Sequence, residues 1–452
     1  MSRLSTDGGY EARFRPLLAD RVKKNIVALA SDGGYVVNAP SFALAKMSSL
    51  FFADDPQFEF EAIRALGHAA YGGADLGEVL STVRRIVAGD YESWYHAWLG
   101  TAERIADVAK RAFDQRHSIS ARDSFLRASN YYRSAEFFLH GATPHPRATV
   151  AYARAVESFQ AAAACFVPAV EPVQIPFEGK VLYGYFYRAS ARGVRPAIIM
   201  HNGFDGSAEE MHFMGAAAAQ ERGYHVLTFD GPGQPAARHR EGMVFRPNWE
   251  TVVTPVLDWL IASRPEVDAD KVALLGVSMG GLLAPRAAAF ETRLAACIAI
   301  DGVYDLGAIS TGKLGGMPRD QAEKLLRAEH APELDEILST IAQSDPTARW
   351  AFSHGMHVMG VNSPRKFLAA YLDYSLHGIA ARIRCPTLVC DAEEDLFFAG
   401  QPAQLFANLT CRKTLLRFTS AEGAGVHCHS GAQRLTYARV YDWLDTVLGT
   451  KV

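Results

Sequence analysis

The sequence carries little net charge, few cysteines and no long apolar run, and each of these shortages argues against a class of protein. Its 452 residues have a formal net charge of −3 and no run of five basic residues, which argues against a nucleic acid or an anionic membrane held by bulk charge. The six cysteines form no C-x-x-C pair, so we expect reduced, buried thiols in a cytoplasmic protein. No apolar run approaches the ~18–20 residues that span a bilayer, and the polar opening residues predict no signal peptide.

The chain divides into three parts by composition and periodicity. A prior of ~150 residues per domain predicts two or three domains, and a content of 49% hydrophobic and 21% charged residues is typical of globular proteins. Residues 1–40 contain turn signals and predict an N-terminal arm with little regular structure. Residues 41–168 show helical periodicity, whereas residues 169–452 alternate strand and helix patterns. We therefore expect an arm, a helical cap domain and an α/β domain.

The helical segment shows several separate helix starts. Pro56 and Pro146 stand where helices can begin, because proline fits the first helical turn. Asp75 and Asp90 precede apolar stripes as N-caps, and Ser120 precedes another such stripe. No strand pattern interrupts these stripes, so the segment predicts an all-helical domain.

The remaining chain predicts a mostly parallel sheet with helices on both faces. Strand patterns at 173–177 and 181–187 flank a Glu-Gly-Lys turn and predict a hairpin. Short apolar strands then alternate with helical runs, which is the arrangement of a parallel sheet. Residues 303–383 show helical patterns without a clear strand, so we expect an insertion there.

One stretch organises this part of the chain: Gly-Val-Ser-Met-Gly at residues 276–280. A strand pattern precedes it at 272–275, and a helical pattern follows at 282–290. Ser278 must then occupy a very tight turn, where only very small residues fit two positions before and after it. A strand, a G-x-S-x-G turn and a helix form the nucleophile elbow of α/β-hydrolases. The pattern therefore predicts an α/β-hydrolase fold with Ser278 as nucleophile, and the plainer alternative is a structural turn.

A serine nucleophile needs a base that accepts its proton and an acid that orients the base. In this fold the acid follows the serine along the chain, and the run Asp-Ala-Glu-Glu-Asp at 391–395 follows a strand pattern. Asp395 lies beyond the turn, where the acid loop presents its carboxylate, and we predict it as the acid. Asp301 and Asp305, after the preceding strand, are the competing acids, or else they are turn and cap residues.

The base is expected after the last strand, where His427 and His429 both occur. His427 follows a flexible Gly-Ala-Gly turn and precedes the final helix, so we predict it as the base and His429 as a wall or cap residue. The H-x-H pair has no Asp, Glu or His partner at ligand spacing nearby, which disfavours a metal site. No phosphate loop or dinucleotide motif occurs either, so we expect no cofactor.

The oxyanion of an acyl-transfer intermediate needs two N–H donors. One is predicted at Met279, directly after the nucleophile. The other is predicted in the loop after the strand pattern at 197–200, where Phe204 is favoured and Asp205 and Gly206 are alternatives.

Four short motifs together resemble one group of hydrolases. They are Asp-Gly-Pro-Gly-Gln-Pro at 230–235, Phe-Arg-Pro-Asn-Trp-Glu at 245–250, the acidic run at 391–395, and Glu-Gly-Ala-Gly-Val-His-Cys at 422–428. The set resembles fungal polyketide-shortening hydrolases of the yellowish-green pigment type. It is similar, more loosely, to 2,6-dihydroxypseudooxynicotine hydrolase and to fermentation-respiration-switch esterase-like proteins. Pro235 replaces the last glycine of the Gly-Gln-Gly found in looser relatives, which favours the pigment-type branch.

This resemblance implies a Ser-Asp-His hydrolase, a homodimer, and a small-molecule substrate buried between the helical domain and the sheet. Several members of the group cleave a carbon–carbon bond next to a ketone. Our first hypothesis is therefore cleavage of a β-diketone or polyketide-like chain through an acyl-enzyme. An esterase, lactonase or acyltransferase with the same triad is the alternative. A non-catalytic binding protein is disfavoured because all three triad residues are present.

Two regions are candidate substrate walls. Trp94, Tyr95 and Trp98 lie on adjoining faces of one predicted helix, since residues four apart share a face. They either line the substrate pocket or form the core of the helical domain. Residues 303–383 lie where α/β-hydrolases commonly insert a lid, so we expect this insertion to form the second wall.

Overall fold

The computed structural model describes residues 49–141, 145–190 and 193–450. In this part of the chain five α-helices precede an eight-stranded sheet, and further helices lie on both faces of that sheet. The predicted arm at residues 1–40 lies outside the described residues. Among the described helices, none has the length and apolar character that a bilayer crossing requires.

The described helical part is built from five α-helices, four of which have a side-chain cap at the N-terminus. They are α1 (Pro56–Gly67), α2 (Leu76–Val83), α3 (Tyr91–Asp114), α4 (Ser118–Glu136) and α5 (Pro146–Ala164). Asp75 accepts the N–H of Gly77 and Asp90 accepts that of Glu92, each at 3.0 Å, which confirms both predicted N-caps. α4 already includes Ser120, which was predicted to precede it, and it packs between α3 and α5.

The sheet is antiparallel at one edge and parallel elsewhere. Its strands are β1 (Glu171–Phe177), β2 (Lys180–Tyr187), β3 (Arg195–His201), β4 (His225–Asp230), β5 (Val267–Val277), β6 (Ala296–Ile300), β7 (Thr387–Ala392) and β8 (Lys413–Phe418). They lie in the order β1-β2-β4-β3-β5-β6-β7-β8. β1 and β2 form the predicted hairpin and β2 pairs antiparallel with β4, whereas the later neighbours pair in parallel. The predicted mostly parallel sheet is confirmed, and the loops after its parallel strands meet at one edge.

Side chains along each strand point alternately to the two faces of the sheet, and each face packs against its own set of helices. The helices of this part are α6 (Ala216–Glu221), α7 (Pro235–Glu241), α8 (Glu250–Ser263), α9 (Gly280–Ala288), α10 (Leu306–Gly312), α11 (Arg319–Leu326), α12 (Pro332–Ser344), α13 (Pro346–Met359), α14 (Pro364–Tyr371), α15 (Gln401–Asn408) and α16 (Gln433–Leu448). Ile198 and Met200 of β3 share a core with α6 and α16. Ile199 points to the other face, because successive strand residues alternate, and shares its core with α7, α8, α9 and α15.

Helices α10 to α14 form the predicted insertion between β6 and β7. Helical patterns in the sequence predicted three of them, near 319–329, 332–341 and 364–376, but not α10 or α13. Trp350 of α13 stacks on Phe137 of the helical part, with ring centroids 4.8 Å apart. The insertion therefore contacts the helical part as well as the α/β part.

Candidate active site

The turn after β5 holds Ser278 in a strained backbone conformation. Ser278 has a φ of 61°, in the left-handed region that residues other than glycine seldom adopt. A side chain at Gly276 would collide with the carbonyl oxygen of Gly280, which explains the glycine at that position. The turn therefore has the tight geometry predicted for it, and α9 begins two residues after Ser278.

His427 lies between Ser278 and Asp395. Its Nε2 is 2.9 Å from Ser278 Oγ, and its Nδ1 is 2.9 Å from Asp395 Oδ2. The other Asp395 oxygen accepts the N–H groups of Phe397 and Phe398, at 2.7 and 3.0 Å. A carboxylate held in this way selects the tautomer in which Nδ1 donates to Asp395 and Nε2 can accept the serine proton. The structure thus brings together the three residues that were predicted from the sequence as nucleophile, base and acid.

Asp301 places a second carboxylate on the same histidine nitrogen. Its Oδ2 lies 3.0 Å from His427 Nδ1 and also accepts the N–H of Cys428. Asp301 is completely buried, and its φ of 54° lies in the left-handed region. The competing acid named from the sequence is therefore found beside Asp395 rather than in its place.

Asp305 and His429 have structural contacts of their own. Asp305 caps α10 by accepting the N–H of Ala308 at 3.3 Å. His429 is fully buried and packs on the ring of Phe418, with centroids 4.0 Å apart, while its Nδ1 lies 3.1 Å from the carbonyl oxygen of Ala424. These contacts are those of a cap and of a wall residue.

The charges around His427 favour its protonated form. Burial opposes a charge on this ring, but the carboxylates of Asp395 and Asp301 outweigh burial and raise the pKa of His427 well above its usual range. Burial likewise opposes a charge on Asp301, but His429, His427 and the N–H of Cys428 lower the pKa of that carboxyl. An imidazolium formed when Ser278 gives up its proton would therefore be strongly stabilised.

One buried group in the described part of the chain has donor atoms close enough for a metal ion. It consists of Asp301, His427 and Cys428, whose donors lie within 4.8 Å of one another. Burial raises the pKa of the Cys428 thiol to about 12, which keeps the thiol protonated. The Nδ1 of His427 faces two carboxylates and acts as a donor to them. Both features disfavour ligation, which needs a thiolate and an unprotonated ring nitrogen.

The loop after β3 lies directly against the elbow. A side chain added at Gly203 would place its Cβ 2.7 Å from the Met279 nitrogen and 2.9 Å from the Ser278 Cβ. Met279 is the last residue before α9, so its N–H lies outside the hydrogen-bond ladder of that helix. Phe204 follows Gly203 directly, and neither its N–H nor that of Met279 donates to a backbone oxygen of the described residues. The two predicted donors thus lie on the two segments that meet beside Ser278.

Three phenylalanines surround His427, and one of them comes from the helical part. The ring centroids of Phe397, Phe398 and Phe60 lie 4.8, 5.3 and 5.8 Å from that of His427. Phe60 belongs to α1, so the helical part reaches the site through its first described helix. None of the three was predicted as a site residue. The two on the acid loop could have been found from their place after Asp395, whereas the spacing of Phe60 is that of a core residue.

Trp94, Tyr95 and Trp98 are buried in the core of the helical part. The Trp94 N–H donates to the carbonyl of Ser134 at 2.7 Å, and the Trp94 ring lies 4.8 Å from that of Phe58. Residues four apart on α3 share one face, and that face is covered by neighbouring helices of the bundle. The structure thus places all three as bundle core, the second of the two alternatives, and does not bring them to the nucleophile.

Comparison with known proteins agrees with this fold. Residues 198–439 match the alpha/beta hydrolase family. The chain is 33% identical to Hydrolase acrC of Aspergillus aculeatus over 415 residues, which cover 86% of this chain and 96% of the relative. It is also 33% identical to 20-hydroxy-prefusarin hydrolase FUS2 of Gibberella moniliformis over 416 residues, which cover 88% of this chain and 98% of the relative.

Among solved structures, the fold is similar to that of 2,6-dihydroxy-pseudo-oxynicotine hydrolase. The TM-score is 0.66 and the identity 24%, over 86% of this chain and 97% of that one. Two curated relatives are fungal hydrolases, and the fold neighbour is one of the proteins named from the four motifs, so the resemblance inferred from the sequence is confirmed. Because the match spans more than half of this chain and nearly the full length of both relatives, the chain belongs to the alpha/beta hydrolase family.

Proposed function

We propose that this protein is a serine hydrolase that cleaves a carbon–carbon bond next to a ketone through an acyl-enzyme on Ser278. The observation that carries the proposal is the chain of contacts from Ser278 to His427 and on to two buried carboxylates. A serine hydroxyl becomes a nucleophile when a neighbouring base takes its proton, and negative charge beside the base stabilises the protonated form. In this proposal Asp395 orients the base, and Asp301 adds a second negative charge.

The first step forms the acyl-enzyme. The Ser278 hydroxyl transfers its proton to His427 Nε2 while its oxygen bonds to the ketone carbon. The resulting oxyanion accepts hydrogen bonds from the N–H groups of Met279 and Phe204. The bond from that carbon to its neighbour then breaks, and the electron pair leaves on a carbon whose charge is delocalised onto the adjacent carbonyl as an enolate. His427 gives its proton to this carbon, which completes a ketone product.

Water completes the reaction. His427 accepts a proton from water while the water oxygen attacks the acyl carbon, and the same proton returns to Ser278 as the acyl group leaves. The products are a ketone and a carboxylic acid, and the enzyme regains its starting state.

The aromatic surroundings of His427 support a carbon leaving group. Phe60, Phe397 and Phe398 crowd the imidazole, so a leaving group beside it is in apolar contact and shielded from water. An enolate in such surroundings depends on His427 for its proton. The motifs shared with polyketide-shortening hydrolases favour a β-diketone or polyketide-like chain, and one relative is named for hydrolysis of 20-hydroxy-prefusarin.

The proposal is tested by comparing an aryl 1,3-diketone with an aryl ester that carries the same acyl group. Intact-protein mass spectrometry is expected to find the same acyl mass on Ser278 with both substrates, and the diketone should yield ketone and carboxylic acid in equal amounts. Ser278→Ala should keep its fold and lose at least about 10³-fold in turnover. Turnover of the ester alone would favour an esterase, lactonase or acyltransferase. An adduct on another residue would refute Ser278 as the nucleophile.

A further inference from the structure

The loop at residues 202–206, which we call the oxyanion loop, is anchored by side chains from other parts of the chain. Gln234, after β4, donates its amide N–H to the carbonyl of Asn202 at 2.5 Å. His354 of α13 has its Nε2 2.9 Å from the carbonyl oxygen of Phe204. The same Gln234 amide also donates to the carbonyl of Gly203 at 3.3 Å, so the turn after β4 and the insertion hold the loop at three of its carbonyl groups.

Arg64 of α1 holds the same loop from the helical part. Its Nε and Nη2 donate to the two oxygens of Glu210, at 2.8 and 2.7 Å, and Nη2 also donates to Asp205 at 3.2 Å. Glu210 in turn accepts the amide N–H of Asn202 at 3.2 Å. A guanidinium is planar, and bidentate pairing fixes its orientation as well as its position. Arg64 thus links α1 to two positions of the oxyanion loop, directly at Asp205 and through Glu210 at Asn202.

These groups belong to a buried ion cluster of five side chains: Glu61, Arg64, Arg133, Asp205 and Glu210. Burial opposes charge on Asp205 and Glu210, but the two arginines outweigh it and lower the pKa of both carboxyls, that of Glu210 to about 2. Two cations are then balanced by two anions. Burial raises the pKa of the third carboxyl, Glu61, to about 7, because burial and the charges of Asp205 and Glu210 together outweigh the two arginines.

We propose that Arg64 is a positioning residue that sets the oxyanion loop, so that the helical part acts on the chemical step as well as on substrate binding. This inference rests on the proposed function, since the loop affects the rate only if the Phe204 N–H binds an oxyanion. Losing one oxyanion donor costs roughly 10²–10³-fold in kcat, and a shift of about 1 Å in a positioned group can cost about 10²-fold. A loop held by Arg64 is therefore worth a measurable share of the rate.

Arg133 provides the matched control. It belongs to the same cluster and is almost as buried as Arg64, with exposed fractions of 8% and 5%. Its ion pairs are with Glu61, at 3.2 Å, and with Glu210, at 3.8 Å, and its guanidinium lies over the ring of Phe137. A substitution at Arg133 disturbs the cluster without removing a hydrogen bond to the oxyanion loop.

The experiment compares Arg64→Lys, Asp205→Asn and Arg133→Lys in the full chain. Asp205→Asn removes the anion on the loop and keeps the pairing of Arg64 with Glu210. Acylation is measured by stopped flow with a p-nitrophenyl ester, together with kcat, KM and the thermal midpoint. We expect Arg64→Lys and Asp205→Asn to slow acylation roughly tenfold or more with KM within about twofold. Arg133→Lys should change acylation less than about threefold at a comparable loss of stability.

Amide exchange supplies a readout that needs no substrate. Arg64→Lys should speed exchange at residues 202–206 more than Arg133→Lys does, because a loop that loses an anchor opens more often. Equal losses of acylation in the two lysine variants would make Arg64 a structural support only and would overturn the inference, as would unchanged acylation in both Arg64→Lys and Asp205→Asn. If the native protein formed no adduct on Ser278, the proposed function would fall, while unchanged exchange in Arg64→Lys would separately refute the loop anchor.

Discussion

At the scale of single residues, the central feature of the site is the pair of carboxylates beside His427. Two carboxylates face one ring nitrogen, Asp395 at 2.9 Å and Asp301 at 3.0 Å. Asp395 is held by two backbone N–H groups, whereas Asp301 shares its nearer oxygen with the N–H of Cys428. Asp395 is therefore the better placed of the two to orient the ring, and Asp301 chiefly adds charge.

The two acids are expected to differ in what their removal costs. Asp395→Asn should lower kcat about 10²–10³-fold and Asp301→Asn about tenfold, because orientation of the base depends mainly on Asp395. The double variant should lose more than either single variant, since no carboxylate then remains on Nδ1. Steady-state kinetics on the aryl ester measures these losses. Equal losses in the two single variants would show that the acids share one role.

The raised pKa of His427 predicts the pH dependence of the reaction. The base must be unprotonated to accept the serine proton, so kcat/KM should rise with pH through a pKa above the usual histidine range. Asp301→Asn removes one of the charges that raise this pKa, so the rising limb of the profile should move to lower pH. The pH profile of kcat/KM for the native protein and the variant gives both values. A limb that stays in place would mean that Asp301 does not interact with the base.

At the scale of elements, α1 is the helix that joins the helical part to the site. It presents Phe60 to His427 and Arg64 to the oxyanion loop, and these two residues lie four apart on one face of the helix. Helix α3 has a structural role instead, since its Trp94 and Trp98 pack in the core of the bundle. Among the described helices of the helical part, α1 thus contacts both His427 and the oxyanion loop.

Phe60→Ala is expected to affect a bulky substrate more than a small one. Removing the ring opens the apolar wall beside His427, so kcat/KM for the aryl diketone should fall at least about tenfold more than for p-nitrophenyl acetate. Parallel kinetics with the two substrates measures this ratio. Trp94→Phe is the control, because a core change should lower the thermal midpoint and leave the substrate ratio unchanged. An unchanged ratio in Phe60→Ala would remove α1 from the substrate wall.

Elements and site residues could be predicted from the sequence where the interactions that form them are local. The caps at Asp75 and Asp90 and the elbow around Ser278 depend on neighbours a few positions away, and each left a recognisable pattern. The contact of Asp301 with His427 joins positions 126 apart, which no local pattern encodes. α10 was missed because its Leu-Gly-Ala-Ile-Ser-Thr-Gly sequence is poor in helix formers and is stabilised by packing.

At the scale of the whole molecule, the buried ion cluster lies where the helical part meets the α/β part. Glu61, Arg64 and Arg133 come from the helical side, and Asp205 and Glu210 from the side of the sheet. Breaking a buried pair by removing one partner leaves an uncompensated charge, at a cost of about 3–5 kcal/mol.

The homodimer implied by the resemblance stays a prediction, and light scattering in solution should then report twice the mass of one chain.

Glu61 is expected to make the stability of the protein depend on pH. Its pKa is about 7 in the folded protein against an ordinary value of 4.5, so the folded state binds this proton more tightly. The free energy of unfolding should therefore fall as pH rises between these two values, by an amount on the order of 3 kcal/mol. Glu61→Gln removes this contribution. Denaturant unfolding from pH 5 to 8 should therefore show the free energy of unfolding of the variant rising relative to that of the native protein as pH rises. A constant difference between the two proteins would contradict the raised pKa.

Because the buried ion cluster has members in both the helical part and the α/β part, we expect that neither part can be exchanged alone between related hydrolases. A recombinant chain cut near residue 168 would combine two arginines from one parent with the oxyanion loop of another. Where the second parent lacked acids at the positions of Asp205 and Glu210, the graft would bury two cations with Glu61 as their one remaining counterion in the cluster. Recombination libraries of such hydrolases should therefore yield active members mainly when these acids travel with the arginines. In this view the helical part does more than select the substrate, because its Arg64 also positions the oxyanion loop.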